Sequence, residues 1–272
     1  MPFSVLMSIY YKDNPTHLEE AINSIIVQTM PPAEIVLVID GEVPHELENV
    51  IASYENNWGK LFKIVRLSTN KGLGNALEVG VKASSFDIVA RMDSDDVSIE
   101  SRFEKQVGCL LEHPDIDIVG SYISEFEHDI NNVVSTRKVP TNDKEIKKFA
   151  KSRNPFNHMT VVFRKSSVLK SGNYKEMLWF EDYYLWARMI ANGCKMLNIP
   201  ESLVYARVDN GFILRRGGKR YLLNEIKLQK RFLEMGFIDL KIYYKNIMVR
   251  APVRVLPPPF RKFVYEFSLR SK

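Results

Sequence analysis

The sequence predicts an α/β fold: a mostly parallel sheet flanked by helices, with a helical extension at the C-terminus. Three observations carry this expectation. Short apolar runs of strand length alternate with stretches of helical period through the first 120 residues. Those runs are apolar throughout rather than alternating, as in strands covered on both faces. The charge is also divided along the chain. Residues 201–272 hold 16 Lys/Arg against 6 Asp/Glu, and residues 1–200 hold 22 against 27, so a formal net charge of +5 over 272 residues conceals an acidic body and a basic C-terminal part.

The elements follow in order. Val5 to Ile9 has strand length, and Asn14-Pro15 reads as an N-cap with proline at the first helical position. Leu18, Ala21, Ile22, Ile25 and Ile26 continue at helical spacing. Glu34 to Ile39 is a continuous apolar strand that stops at Asp40-Gly41, and a short helix is expected over 45–54. Phe62 to Leu67 is a third strand, Gly72 to Ala83 a helix, and Asp87 to Met92 a fourth strand that runs into Asp93-Ser94-Asp95-Asp96. A helix over 101–112 and a strand from Ile116 to Gly120 complete the regular half. Beyond it, Thr160 to Phe163, Met196 to Ile199 and Leu203 to Val208 read as strands. Trp179-Phe180-Glu181-Asp182 leads into a helix closed near Gly193, and a long helix over 219–235 ends at Gly236.

Composition excludes several classes. A 45% hydrophobic, 26% charged chain is ordinary globular protein. No apolar run reaches the roughly 18–20 residues of a spanning helix, and the N-terminal residues do not read as a signal peptide. Two cysteines, Cys109 and Cys194, supply neither a disulfide framework nor a zinc site, which points to a reducing, cytoplasmic compartment.

In parallel sheets ligands bind beyond the C-terminal ends of the strands. The polar residues here gather at those ends: Tyr10 to Asp13, Asp40, Asn70 to Gly74, and Asp93 to Asp96. Three carboxylates in four residues repel one another unless a cation neutralises them, and a hard divalent ion prefers oxygen ligands. In isolation the motif reads more readily as a solvated acidic turn; its place after a buried strand reverses that preference and makes Asp93, Asp95 and Asp96 the candidate metal ligands. Asp40 suits a base N–H or a ribose hydroxyl, or else simply an Asp-Gly turn. Asn70, Gly72 and Asn75 open a helix whose glycines admit a close ligand and whose N-terminus favours anions. Tyr10, Asp13, Arg91 and Ser94 stand at the same ends and join the candidate ligand contacts.

Farther along, Glu181 and Asp182 start a helix among Trp179, Phe180 and Trp186. Aromatic neighbours desolvate a carboxylate and lift its pKa toward a useful base range, although an acidic first turn also simply suits the helix dipole. The three aromatics and His158 are the candidate acceptor contacts. Arg215-Arg216-Gly217-Gly218 is a basic, flexible loop of the kind that closes over a diphosphate.

The segments Ser4 to Lys12, Val36 to Gly41, Asn70 to Gly80, Val89 to Asp96 and Trp179 to Trp186, in this order, resemble family-2 glycosyltransferases with the GT-A fold, a Rossmann-like sheet. The bacterial exopolysaccharide and O-antigen branch, the amylovoran type, is the nearest match, over roughly residues 1–235. The resemblance implies an inverting, metal-dependent transfer of a sugar from a nucleotide-diphosphate donor, usually UDP-linked, in surface polysaccharide synthesis. The acceptor would be a glycan or lipid-linked glycan. Asp40 would contact the nucleobase, Asp93 and Asp95 match the DxD acids, and Asp96 is a further candidate beside the Mn²⁺ or Mg²⁺ they would hold. Asp182 matches the general base, with Glu181 positioning the acceptor or the base. Arg215 and Arg216 would touch the diphosphate. One departure is Arg207-Val208-Asp209, where many relatives carry a histidine.

The expected organisation is a transferase domain over 1–235, divided into a nucleotide-binding half (1–120) and an acceptor-binding half (121–235), then a basic amphipathic extension over 236–272. That extension interleaves aromatics with Arg250, Arg254, Arg261, Lys262, Arg270 and Lys272 around Pro257 to Pro259. It suits peripheral contact with an anionic membrane at the inner face of the cytoplasmic membrane, or packing on the body. Two other classes compete. A nucleotidyltransferase would place its glycine-rich signature in the first strand-to-helix turn, which here has no glycine. A nucleic-acid-binding protein would leave the converging acids unexplained, so no nucleic-acid partner is expected.

Overall fold

The computed structural model describes residues 1–208 and 217–256. One nine-stranded sheet organises it. In chain order the elements are β1 (Ser4–Ile9), α1 (Pro15–Ile26), β2 (Glu34–Asp40), α2 (His45–Trp58), β3 (Phe62–Leu67), α3 (Leu73–Ala83), β4 (Ile88–Arg91), β5 (Val97–Ser98), α4 (Arg102–Glu112) and β6 (Ile118–Phe126). Then come β7 (Val133–Arg137), α5 (Asp143–Phe149), a 3₁₀ turn (His158–Thr160), β8 (Val162–Arg164), α6 (Lys165–Lys170), α7 (Glu181–Ala191), β9 (Met196–Arg207), α8 (Lys219–Glu234) and α9 (Leu240–Val255).

The strand order is β3-β2-β1-β4-β8-β6-β9-β5, with β7 paired to β6. Strands β3, β2, β1 and β4 are parallel, so their C-terminal ends share one edge. Strand β8 runs antiparallel between β4 and β6. The parallel half is the one whose strands are apolar throughout. Val5, Met7 and Ile9 enter the core on one face and Leu6 the core on the other, and Ile35, Leu37 and Ile39 oppose Val36 and Val38 in the same way. Helix α1 starts as expected: Asn14 Oδ1 accepts from the amides of Thr16 (2.9 Å) and His17 (3.2 Å).

Several expectations change in the second half. The two strands anticipated over 196–199 and 203–208 are one strand, β9, bulged at Pro200-Glu201, which fall between the pairs Ser121↔Ile199 and Tyr122↔Ser202. Proline has no N–H for the ladder, so the bulge absorbs it. Strand β6 continues past Gly120 to Phe126 because β9 pairs along its whole length. Elements β5, β7, α5 and α6 are additional; they are short, and no residue of β7 is buried.

A third apolar cluster joins α7 to the C-terminal helices through Phe180, Tyr183, Ala187, Tyr221, Leu228, Phe232, Phe237 and Ile238. A buried ion cluster reinforces it. Glu225, 1% exposed, accepts from Arg254 Nε at 2.6 Å and pairs with Arg250. Arg250 and Arg254 therefore face inward, which favours packing on the body over membrane contact for these two residues. Residues 257–272 lie outside the described residues, as do Arg215 and Arg216. No helix among the described residues is long and apolar enough to cross a membrane.

Candidate active site

The end of β4 and the first turns of α3 and α7 meet at a cleft of about 1350 Å³. Gly72, Asn75, Arg91, Asp93, His158, Trp179, Phe180, Glu181 and Asp182 line it. Tyr10, Asp13, Asp40, Asn70, Ser94, Asp95, Asp96 and Trp186 are not part of its wall, for different reasons.

Asp40 is 2% exposed. Its two carboxylate oxygens accept from the amides of Lys71 (2.7 Å) and Gly72 (2.8 Å), while Asn70 Nδ2 donates to its carbonyl at 3.1 Å. The structure thus gives Asp40 the task of shaping the loop that opens α3, rather than presenting an open carboxylate to a base. Gly72 takes φ +84°, a conformation that a side chain resists. Asn75 Nδ2 donates to the Lys71 carbonyl at 3.0 Å and closes the turn.

The acid cluster follows β4. Ligand oxygens of Asp93, Asp95 and Asp96 lie within 4.8 Å of one another. Arg91, buried below them, pairs with Asp93, and its Nε and Nη1 have no hydrogen-bond partner among the described residues. Asp96 Oδ1 accepts from the Arg207 amide at 2.8 Å; its Oδ2 is buried without a partner among the described residues. Burial drives the Asp96 carboxyl well above its ordinary range, with Asp95 and Asp93 adding repulsion. Asp95, at the outer edge, is pushed up to about 6, first by the protein packed around it and then by Asp93. Asp13, which accepts from the Tyr10 amide at 3.0 Å and bonds Ser94, is raised to about 7, again chiefly by burial. Converging carboxyls that resist ionisation, one with an orphaned buried oxygen, fit a hard divalent cation with oxygen ligands. Arg207 closes the far side, donating through Nε to the Asp95 carbonyl at 3.1 Å and pairing with Glu20.

On the opposite wall, α7 opens with Glu181 and Asp182. Asp182 Oδ1 accepts from the Tyr183 amide (2.7 Å) and Oδ2 from Asn154 Nδ2 (2.6 Å). Burial raises its pKa, and these two bonds temper the rise. Burial lifts Glu181 to about 7. A Cβ on Gly74 would stand 2.8 Å from Glu181 Cγ, so only glycine lets the first turns of α3 and α7 touch. Just before α7, Trp179 holds a left-handed φ of +71°, strained for a bulky side chain, and stacks on Tyr221 at 5.0 Å.

His158 reaches the cleft and shares a 2.9 Å hydrogen bond between Nε2 and the Tyr174 hydroxyl. Burial, then Arg91, holds its pKa well below the usual imidazole range, so the ring is neutral. Trp186 requires correction as an acceptor contact. It is fully buried, packed against Phe156, Tyr174 and His158, because its position on α7 faces the core. Phe180 keeps only 6% exposure at the cleft. Asn154, Arg137 and Tyr221 were not among the expected residues; they lie outside recognisable motifs, and only the tertiary fold brings them to α7.

Residues 4–172 match the family model described as glycosyl transferase family 2. An Escherichia coli protein named UDP-Gal:alpha-D-GlcNAc-diphosphoundecaprenol beta-1,3-galactosyltransferase is 38% identical over 98% of this chain and 96% of its own length. The amylovoran biosynthesis glycosyltransferase AmsE of Erwinia amylovora is 37% identical over 97% of this chain and 98% of its own. The fold is that of GalNAc-T7, whose structure contains UDP, GalNAc and Mn²⁺: the TM-score is 0.68 at 17% identity, over 99% of this chain and 55% of that one.

Proposed function

The chain belongs to glycosyltransferase family 2, and from that premise we propose that it moves a sugar, with inversion, from a UDP-sugar to a glycan or lipid-linked glycan in surface polysaccharide synthesis. One observation carries this reading: Asp93 and Asp182 line the same cleft, one in an acid cluster suited to a cation and the other held by Asn154 and the Tyr183 amide. A single displacement needs these two chemistries on opposite sides of the transferred sugar. Family membership sets aside nucleotidyl transfer as the reaction.

Asp93, Asp95 and Asp96 would hold Mn²⁺ or Mg²⁺, which when bound neutralises charge on the departing diphosphate. The chain's own groups do the rest. The loop Asn70 to Asn75, fixed by Asp40, offers backbone to the donor. Asp182 takes the proton from the acceptor hydroxyl. Its raised pKa strengthens it as a base, and Asn154 and the Tyr183 amide hold the carboxylate still. Glu181 and Trp179 border the acceptor, and neutral His158 remains available as a hydrogen-bonding group.

Supporting a lipid-linked acceptor is the name of the Escherichia coli relative, a galactosyltransferase acting on a sugar carried by diphosphoundecaprenol. A peripheral place at the inner face of the cytoplasmic membrane accords with α9, where Leu240, Tyr244 and Met248 are 59%, 60% and 68% exposed beside Lys241 and Lys245. The organisation into halves 1–120 and 121–235 with an extension over 236–272 belongs to the same proposal. The test is a thermal-shift panel of nucleotide sugars with and without Mn²⁺. A UDP-sugar should raise the melting temperature only with the metal; no response to any nucleotide sugar contradicts the reading.

A further inference from the structure

Helix α9 is amphipathic in the opposite sense to a helix held by a core. Among its described side chains only Asn246 and Arg254 are buried, and both are polar. Ile242 and Tyr243 are half-buried against the third apolar cluster, whereas α8 buries Tyr221, Leu228 and Phe232. The outer face of α9 carries Leu240, Tyr244 and Met248, spaced four apart and all exposed. A helix on a globular body ordinarily turns its apolar stripe inward and its polar one to water. Here polar bonds hold the helix to the body, and the apolar stripe has no cover among the described residues. Few buried apolar contacts also place an element at the low-stability end of a structure, where local opening precedes global unfolding.

The polar bonds of the inner face end beside the reacting carboxylate. Asn246 Nδ2 donates to the Lys151 carbonyl at 2.9 Å, and Arg250 donates to the Ser152 carbonyl. Lys151 Nζ returns to the carbonyl of Phe237, in the turn before α9. Two residues after Ser152, Asn154 Nδ2 donates to Asp182 Oδ2 at 2.6 Å, and the Tyr183 amide donates to Oδ1 at 2.7 Å. The loop is rooted in α5 as well, since the amides of Ser152 and Arg153 both donate to the Phe149 carbonyl. Helix α9 thus sets the final placement of a loop that α5 already roots.

Charge on the outer face selects its partner. Exposed Lys241 and Lys245 flank Tyr244, and residues 240–255 contain no Asp or Glu. Asp239, just ahead, is engaged as the cap, accepting from the Ile242 amide at 2.7 Å. A second copy packed on this stripe would set lysines against lysines, whereas anionic headgroups above acyl chains match both the lysines and the apolar stripe. We propose that an anionic bilayer is an effector of the active site: by seating the outer face of α9 it fixes the inner face, and through loop 151–154 it steadies Asp182. This rests on the reading of α9 as the membrane-facing surface. A bilayer that binds only the seated helix shifts the population toward it, and the loop bonded to that helix follows.

The experiment is amide hydrogen exchange in the full chain, with vesicles of phosphatidylcholine alone or of phosphatidylcholine mixed with phosphatidylglycerol, and co-sedimentation measured on the same samples. The Tyr183 amide is a direct reporter, because it donates to Asp182. Anionic vesicles should slow exchange over 151–154 and at Tyr183 by about fivefold or more and leave β2 unchanged. Neutral vesicles should change none of them. Asn246→Ala should still sediment with anionic vesicles yet lose the slowing. Sedimentation of the parent chain without slowing overturns the coupling and leaves the membrane reading intact; absence of sedimentation overturns both. Slowing that Asn246→Ala retains, or that spreads equally to β2, overturns the route through α9. Slowing that grows with protein concentration in the absence of vesicles assigns the face to a second copy and overturns the proposal. If Asn246→Ala does not fold, the vesicle comparison on the parent chain decides alone.

Discussion

The two walls of the cleft are built by opposite means. One wall is local: the loop that opens α3 and the end of β4, all within the first 96 residues, supply Gly72, Asn75, Arg91 and Asp93. The acceptor wall is assembled from afar. Asp182 is held by Asn154, the loop of Asn154 is held by Asn246 and Arg250 on α9, and those helices are anchored by the buried Glu225. The C-terminal helices are thus part of the support of Asp182. An element that looks like a basic appendage in the sequence reaches the reacting end through two hydrogen-bonded steps.

Substitutions on each wall should therefore fail differently. The largest effect is expected from Asp182→Asn, which removes the proton acceptor while keeping the shape: kcat should drop about 10²- to 10⁴-fold with UDP affinity unchanged. In the parent protein, burial raises the Asp182 pKa, so the rate should fall as pH drops through a value above the ordinary carboxylate range. A rate insensitive to acid until the usual aspartate pKa would break that link.

Next is Glu225→Ala on the acceptor wall. It strands Arg250 and Arg254 around a vacated buried site and should cost about 3–5 kcal/mol of stability, read as a lower denaturation midpoint. The same variant should lose transfer before it loses UDP binding, since the donor wall does not depend on α9. Equal loss of both functions at a temperature where the protein is folded would erase the distinction between the walls.

On the donor wall, Asp95→Ala should weaken Mn²⁺-dependent UDP binding by about 10- to 100-fold, by analogy with losses around metal sites, and leave metal-free titrations alone. The smallest effect is expected from Met248→Ser on the exposed face of α9. Stability should move within about 0.5 kcal/mol, whereas sedimentation with anionic liposomes should decrease. Unchanged sedimentation would count against the membrane-facing assignment of that surface.

The same contrast explains what was legible in the sequence. Strands β1 to β4 announce themselves because a strand buried on both faces must be apolar throughout, and the polar residues that follow must sit at its end. Asp93 to Asp96 were visible for that reason. Asp182 was visible as a carboxylate among aromatics, but its grip by Asn154 spans 28 residues and leaves no local pattern. Trp186 was misread because an aromatic beside a catalytic motif looks the same whether it lines a cleft or fills a core; helical phase on α7 settles it inward. Arg250 and Arg254 stay open between membrane contact and packing in the sequence, because a basic stripe suits either until a buried partner such as Glu225 is located. Pro200 punctuates β9 without ending it, since β6 holds the strand on both sides of the bulge.

In the proposed reaction, proton removal by Asp182 and charge neutralisation at Asp93 to Asp96 act on opposite faces of the transferred sugar. The anomeric configuration of the first-formed product, followed by proton NMR from an α-linked UDP-sugar, tests it most directly. A β-linked product is predicted; an α-linked product would contradict a single displacement and remove Asp182 from its role as base.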